Sequence, residues 1–333
     1  MKRTKTILPA VITVLILFTS SLFAQEADNA VEKEKSPFSL ELQTDAAYYP
    51  DSEKITGGDH FAPITGPYSG LEGCTTLNAT YQLDTPLGEH WLVSGANVSF
   101  TGALEVTPIS IRPKAKVAFT PVPFLIFAGG GSVGLGWNIG SIEGLCELNK
   151  TTYDYEYITT FNHPYYELWA SATFQFDTGA IISGDWSHVV ILASYKVLYS
   201  GIGGLEDYSV YEWQCSKNKA KGLLYEFQGV LGYQMPIALS LAGVMFKSEG
   251  FYDGKVYGEY DKNFDGDFAE ISISPLMQFN LGDKDSLTCL FDFSSRRSFA
   301  ETFEKPGESL TKQATGREWY FKRFALSWTH KFM

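Results

Sequence analysis

Residues 110–116 (SIRPKAK) place Ser110, Arg112, Lys114 and Lys116 two apart. In an extended chain that spacing puts all four side chains on one face. Three cations in a column are suited to attracting and passing anions. Acidic residues on the corresponding parity of other segments are Glu41, Asp45, Glu167, Asp177, Glu226, Glu270 and Asp292, and Arg323 joins them near the end of the chain. Facing walls of opposite charge would set up a transverse field through which polar solutes could pass. The alternative is that the charges pair with one another and fill the space between the walls.

Other chemistry is thinner. The histidines His60, His90, His163, His188 and His330 are scattered. Only His188, on one parity with Ser194 and Lys196, falls within a predicted wall, and no Ser–His spacing suggests a nucleophile with its base. Asp261, Asn263, Asp265 and Asp267, with Gly266, match the first half of a calcium loop. Position twelve would be Ser272 where a bidentate Glu is required, so a polar hairpin turn is expected and no metal is assigned. GGGSVGLG at 129–136 has no P-loop Lys after it and reads as a strand with glycine against open space or a neighbouring backbone. Of four cysteines, Cys74, Cys146 and Cys215 fall in or beside predicted loops, and Cys289 takes a lipid-facing parity. Cys146 and Cys215 are a candidate disulfide pair, although spacing leaves the connectivity open. The net charge of −12 argues against nucleic acid as a partner, and no cofactor is implied.

The elements that carry these residues are strands. Residues 270–281 set Ile271, Ile273, Met277, Phe279 and Leu281 against Glu270, Ser272, Ser274, Gln278 and Asn280. Twelve segments alternate in this way: 37–49, 73–84, 90–101, 104–120, 124–139, 164–177, 186–200, 222–235, 237–249, 268–281, 285–297 and 317–333. Short links at 85–89, 121–123, 178–185, 236 and 282–284 alternate with longer ones at 50–72, 140–163, 201–221, 250–267 and 298–316. The link near 102–103 is the exception, and the parity slip near Pro108 is read as a bulge inside one strand. Sorting of links by length is the habit of a transmembrane barrel, with short periplasmic turns and long extracellular loops. Aromatic residues, 15% of the chain, fall at segment ends (Tyr48, Tyr49, Trp91, Trp137, Tyr165, Tyr166, Trp186, Tyr199, Tyr233 and Tyr320), as in interfacial girdles.

Lys2, Arg3 and Lys5, the apolar run Ile7–Phe18 and the ending Phe23-Ala24 have the layout of a secretory signal peptide over 1–24. Residues 25–36 read as a flexible periplasmic lead-in, leaving 37–333 as one barrel domain. In the last segment Phe324, Leu326, Trp328 and Phe332 alternate with Arg323, Ala325, Ser327, Thr329 and Lys331. That pattern resembles the C-terminal strand read by the outer-membrane assembly machinery, from which Met333 departs because a terminal Phe is usual there. The stretch Leu104–Asn138, with Gly184-Asp185-Trp186, resembles poorly characterised outer-membrane barrels of spirochaetes over about a third of the chain. The resemblance implies an outer-membrane location and leaves the substrate open. Some of those barrels are likened to fatty-acid channels with an N-terminal plug, for which 25–36 is too short.

The sequence therefore predicts an all-β, antiparallel transmembrane β-barrel of about twelve strands, with ten or fourteen as alternatives. It is expected in the cell outer membrane after export, in contact with its lipid and assembly machinery. A porin-like passive channel for small hydrophilic or anionic solutes, not an enzyme, is the leading expectation. Arg112, Lys114, Lys116, Glu167, Glu226, Glu270, Asp292 and Arg323 would be its charged lumen wall. The alternative is a surface-exposed adhesin or antigen with a plugged barrel, whose loop aromatics Tyr153, Tyr155, Tyr157, Tyr208, Tyr211 and Trp213 meet host surface ligands. A fatty-acid-type transporter and an intramembrane hydrolase are more distant.

Overall fold

The computed structural model describes residues 36–50, 70–140 and 142–333. The signal segment 1–24, nearly all of the lead-in and most of the link 50–72 lie outside the described residues. Alternation in the chain becomes strand after strand: β1 (Phe38–Tyr49), β2 (Gly70–Asp84), β3 (Asn97–Thr107), β4 (Ser110–Val122) and β5 (Leu125–Gly136). Two short strands follow, β6 (Leu145–Leu148) and β7 (Tyr155–Tyr157), then the long β8 (Tyr165–Asp177) and β9 (His188–Ile202). A second short pair, β10 (Val210–Trp213) and β11 (Ser216–Ala220), precedes β12 (Gly222–Gln234), β13 (Leu239–Phe251), β14 (Glu270–Asn280), β15 (Asp285–Phe299) and β16 (Ala314–Lys331). The twelve long strands form a closed antiparallel barrel, sealed where Glu41–Tyr48 of β1 pairs with Lys331–Phe324 of β16. Closure leaves no sheet edge unpaired. The four short strands make a separate sheet in the order β11-β10-β6-β7.

The strand boundaries between residues 85 and 122 differ most from the sequence reading, and the link expected near 102–103 lies inside β3. The predicted strand 104–120 is two strands, and the chain reverses at Pro108-Ile109. Pro108 has no N–H to give a ladder, and the turn is held by its neighbours. Ile109 N donates to Thr107 Oγ1 at 3.2 Å, and Trp137 N and Nε1 donate to the carbonyls of Ile109 and Pro108 at 2.9 and 3.0 Å. This link on the long-link side thus has two residues, whereas the expected short link 85–89 extends to residue 96.

One parity of every barrel strand faces out and is apolar: Leu77, Phe100, Val117, Phe127, Leu168, Phe227, Leu231, Val244 and Ile273 all remain exposed. Tyr48, Trp186, Tyr199 and Tyr233 are exposed at or beside strand ends as expected, Trp91 is exposed within the link 85–96, and Tyr49 and Tyr165 point inward and are buried. No helix among the described residues is long and apolar enough to cross a membrane.

The other parity faces the lumen, and it is not uniformly polar. Val190 and Leu192 on β9, Val230 on β12, Leu241 on β13, Leu276 on β14, Leu290 on β15 and Ala47 and Ala325 at the seam form one buried cluster, with Met245 against it. An eight-stranded barrel is filled by its own side chains, whereas sixteen or more strands leave a channel. At twelve strands the contents decide, and this half of the lumen is packed as a core.

Candidate functional site: the barrel lumen and its cap

The predicted cationic column exists, but it is paired. Glu105 on β3 sits in register with Arg112 on β4. Its carboxylate accepts from Arg112 Nε and Nη2 at 3.1 and 2.9 Å and from Lys114 Nζ at 2.5 Å. A bidentate Arg–carboxylate bond is among the stronger charge-assisted pairs. Sequence reasoning missed Glu105 because the turn at Pro108 was taken for a bulge, which hid the strand that faces β4. Lys116, next along the column, has Glu41 as its electrostatic partner.

The remaining wall charges are also engaged. Glu226 on β12 lies between Lys196 of β9 and Lys247 of β13, at 3.3 and 3.5 Å. Glu270 on β14 binds Lys322 on β16 at 2.9 Å. Asp292 on β15 is ion-paired with Arg323 at 3.2 Å and accepts from Ser274 at 2.9 Å, and Arg323 donates to the Tyr49 hydroxyl at 2.7 Å. Glu167 accepts from Tyr165 at 3.3 Å. His188, near the short-link end, is held by Asp177 at 2.9 Å. Most of the expected acidic and basic wall residues are therefore interleaved as ion pairs, with Glu105 and Glu226 each shared by two cations.

The four long links among the described residues, from 137 onward, fold together as a cap with its own core. Leu148, Val210, Ala220, Tyr257, Tyr260, Phe264 and Leu310, drawn from four links, form one buried cluster. Of the loop aromatics expected to meet ligands, Tyr211 and Trp213 are buried, Tyr153 and Tyr155 pack against the cap core, and only Tyr157 and Tyr208 stay exposed. The calcium-like residues belong to the same cap. Asp261 opens a one-turn helix, α1 (Asp261–Phe264), Asn263 donates to the Thr311 carbonyl, and the Asp265 carbonyl accepts from Arg297.

The β10–β11 hairpin carries the cap into the barrel mouth. Its two-residue turn, Gln214-Cys215, has φ of 51° and 58°. Both residues are in the left-handed region that such turns require and that usually calls for Asn or Gly, so docking offsets about 1–3 kcal/mol of strain for each. Trp213 stacks on inward-facing Tyr165 (4.6 Å, 6°), and Gln214 Nε2 donates to Ser110 Oγ at 2.7 Å and reaches Glu105 at 3.4 Å. Of the inward glycines of β5, Gly134 and Gly136 are buried under Trp213, while Gly130 stays partly exposed. A Cβ at Gly134 would lie 2.5 Å from the Trp213 ring, and one at Gly130 would lie 2.8 Å from the Trp169 ring.

The cysteines divide differently from expectation. Cys74 is on β2, inward, 3.5 Å from Asp45, because β2 begins earlier than its alternation predicted. Cys146 and Cys215 are fully buried in the cap and are free thiols. Cys215 Sγ donates to the Glu143 carbonyl at 3.0 Å. Burial pushes the Cys146 thiol up to about 12, and it raises the Glu212 carboxyl to about 8 against the opposing effect of Lys217.

No protein-family model and no curated protein matches the chain. In fold the barrel is similar to solved outer-membrane proteins. The NanC porin is 8% identical, with a TM-score of 0.39 over 87% of this chain and 100% of that one. The β domain of the Bordetella autotransporter Brka is 10% identical, with a TM-score of 0.41 over 89% and 99%. An outer membrane channel from Pseudomonas putida F1 is 8% identical, with a TM-score of 0.41 over 91% and 100%.

Proposed function

We propose that the protein is an outer-membrane β-barrel closed at rest, whose folded cap is its working surface for contact with molecules outside the cell. The outward apolar parity supports the membrane setting. Those side chains would need a lipid surround, since isolated apolar patches on soluble proteins rarely exceed a few hundred Å². The single observation that carries closure is the inward apolar cluster around Leu192, Leu241, Leu276 and Leu290, beside ion-paired rather than free lumen charges. The β16 strand with Phe324, Leu326 and Trp328 facing lipid, and Phe332 beyond it packed on His330 at 4.8 Å, is the surface offered to the assembly machinery. Labelling of intact cells tests the orientation. Native Cys74, Cys146 and Cys215 are buried; in a Cys289→Ser background, which removes the partly exposed thiol, a membrane-impermeant maleimide reports Tyr208→Cys in the cap and Trp91→Cys in a short-side link. The cap position should label on intact cells and Trp91→Cys only after permeabilisation; the reverse pattern overturns the reading.

A second reading, a narrow anion path, is favoured by one observation. The lumen wall on the β3–β5 side is less buried than the rest: Lys114, Lys116, Ala128, Gly130 and Ser132 keep partial exposure. Passage there requires the hairpin tip to leave the mouth. Release of the tip should then give anion-selective steps, and silence from a folded, tip-released barrel excludes this path.

A further inference from the structure

The cap holds a cluster that the closed-barrel reading does not use. Glu212 on β10 lies in register with Cys146 on β6, and Glu143 precedes β6 by two residues. One oxygen or sulfur from each of the three lies within 4.8 Å of the others. Glu212 is fully buried, and its Oε1 has no hydrogen-bond partner among the described residues. A buried carboxylate oxygen without a donor is costly. Its other oxygen and Glu143 both contact the Lys217 ammonium, at 2.8 Å for Glu212, so a cation already occupies the space between the two acids. Glu143 retains 29% side-chain exposure, which gives that space a way to solvent.

We propose that Cys146, Glu212 and Glu143 form a binding site for a thiophilic divalent cation of the Zn²⁺ class. Thiolate with carboxylate is a donor set for such an ion, and a tetrahedral site with bonds of about 2.0–2.3 Å spaces its ligands about 3.3–3.8 Å apart. Closing from within 4.8 Å needs only side-chain adjustment. The charges balance: two carboxylates and a thiolate against the cation and Lys217 sum to zero. Coordination forms the metal–sulfur bond as the Cys146 thiol proton, and the proton that Glu212 carries below about pH 8, leave to solvent. Lys217 moves outward on the side of the Tyr155 ring, over which its ammonium already lies at 4.6 Å. The bound ion would tie β6 to β10 one residue before Trp213, clamping the cap next to the hairpin tip that sits in the barrel mouth. The site is defined by the cap alone and does not depend on whether the barrel is closed.

The test is a Co²⁺ titration of the folded full-length chain in detergent under reducing conditions, read by the thiolate-to-cobalt charge-transfer band, with Zn²⁺ as competitor. One equivalent should produce the band and Zn²⁺ should abolish it. Cys146→Ser should lose the band, and Glu212→Gln should weaken binding by at least about tenfold. Absence of a band from the unaltered protein, or a band that persists in Cys146→Ser, overturns the proposal. Neither of those outcomes depends on the Glu212 variant folding.

Discussion

Replacing Trp213 with Ala removes the side chain that fixes the hairpin in the barrel mouth. The ring is 3% exposed, stacks on Tyr165 at 4.6 Å and packs with Leu145, Ile202 and Tyr211. Truncating a buried Trp costs about 3–5 kcal/mol. Part of that is recovered, because Trp213 Nε1 is buried without an acceptor among the described residues, and relieving such a group returns about 1–3 kcal/mol. The net loss is about 2 kcal/mol, roughly a thirtyfold rise in the undocked population at 1.4 kcal/mol per tenfold. Relief of the left-handed turn at Gln214-Cys215 acts in the same direction. Hydrogen exchange followed by mass spectrometry reads this locally. Amides of 203–221 should exchange about thirtyfold faster in Trp213→Ala, while β12–β16 keep their protection. Equal exchange in the two proteins would refute the claim that Trp213 anchors the cap.

Three further outcomes follow from the same geometry. Gly134→Val places a side chain where the Trp213 ring now lies, so it should free 203–221 to exchange as Trp213→Ala does, without altering the hairpin itself. Arg112→Met removes the bidentate partner of Glu105 and leaves it Lys114 alone, so it should lower barrel stability by about 1.5–3 kcal/mol in urea unfolding from lipid vesicles. Adding Glu105→Gln should return much of that loss, and additive losses would contradict the pairing. Phe227→Arg, mid-strand on the outward face of β12, should cost about 2–4 kcal/mol in lipid, and a neutral result would mean that this face does not meet the bilayer core.

Much of the barrel was legible because a lipid-facing parity must be apolar at every other position. Ile271, Ile273, Met277 and Phe279 declare their face without any partner strand being known. The contents of the lumen were harder to read, since pairing depends on which strands meet. Glu105 gained its role only once Pro108 was seen to reverse the chain and set it opposite Arg112. A signal for the packed lumen was present. Val189-Val190-Ile191-Leu192 is a continuous apolar run, the mark of a strand buried on both faces, and a strand with lipid outside and water inside has no use for Val190 and Leu192. The cap was hidden for a different reason. Strands of three to five residues, β6, β7, β10 and β11, are too short for alternation to register, and their order is fixed by contacts between distant links. Trp213 and Gln214 therefore read as loop residues, although they sit in the barrel mouth.

The most direct test of the closed barrel is single-channel recording of the folded protein in a planar bilayer, before and after the hairpin 210–220 is replaced by a short Gly/Ser link. The account predicts silence from the unaltered barrel over the full voltage range. After replacement it predicts either continued silence, from the apolar layer around Leu276 and Leu290, or small anion-selective steps along Lys114 and Lys116. Stable, large conductance from the unaltered protein would contradict it, because paired charges and a packed apolar layer leave no path for such a current.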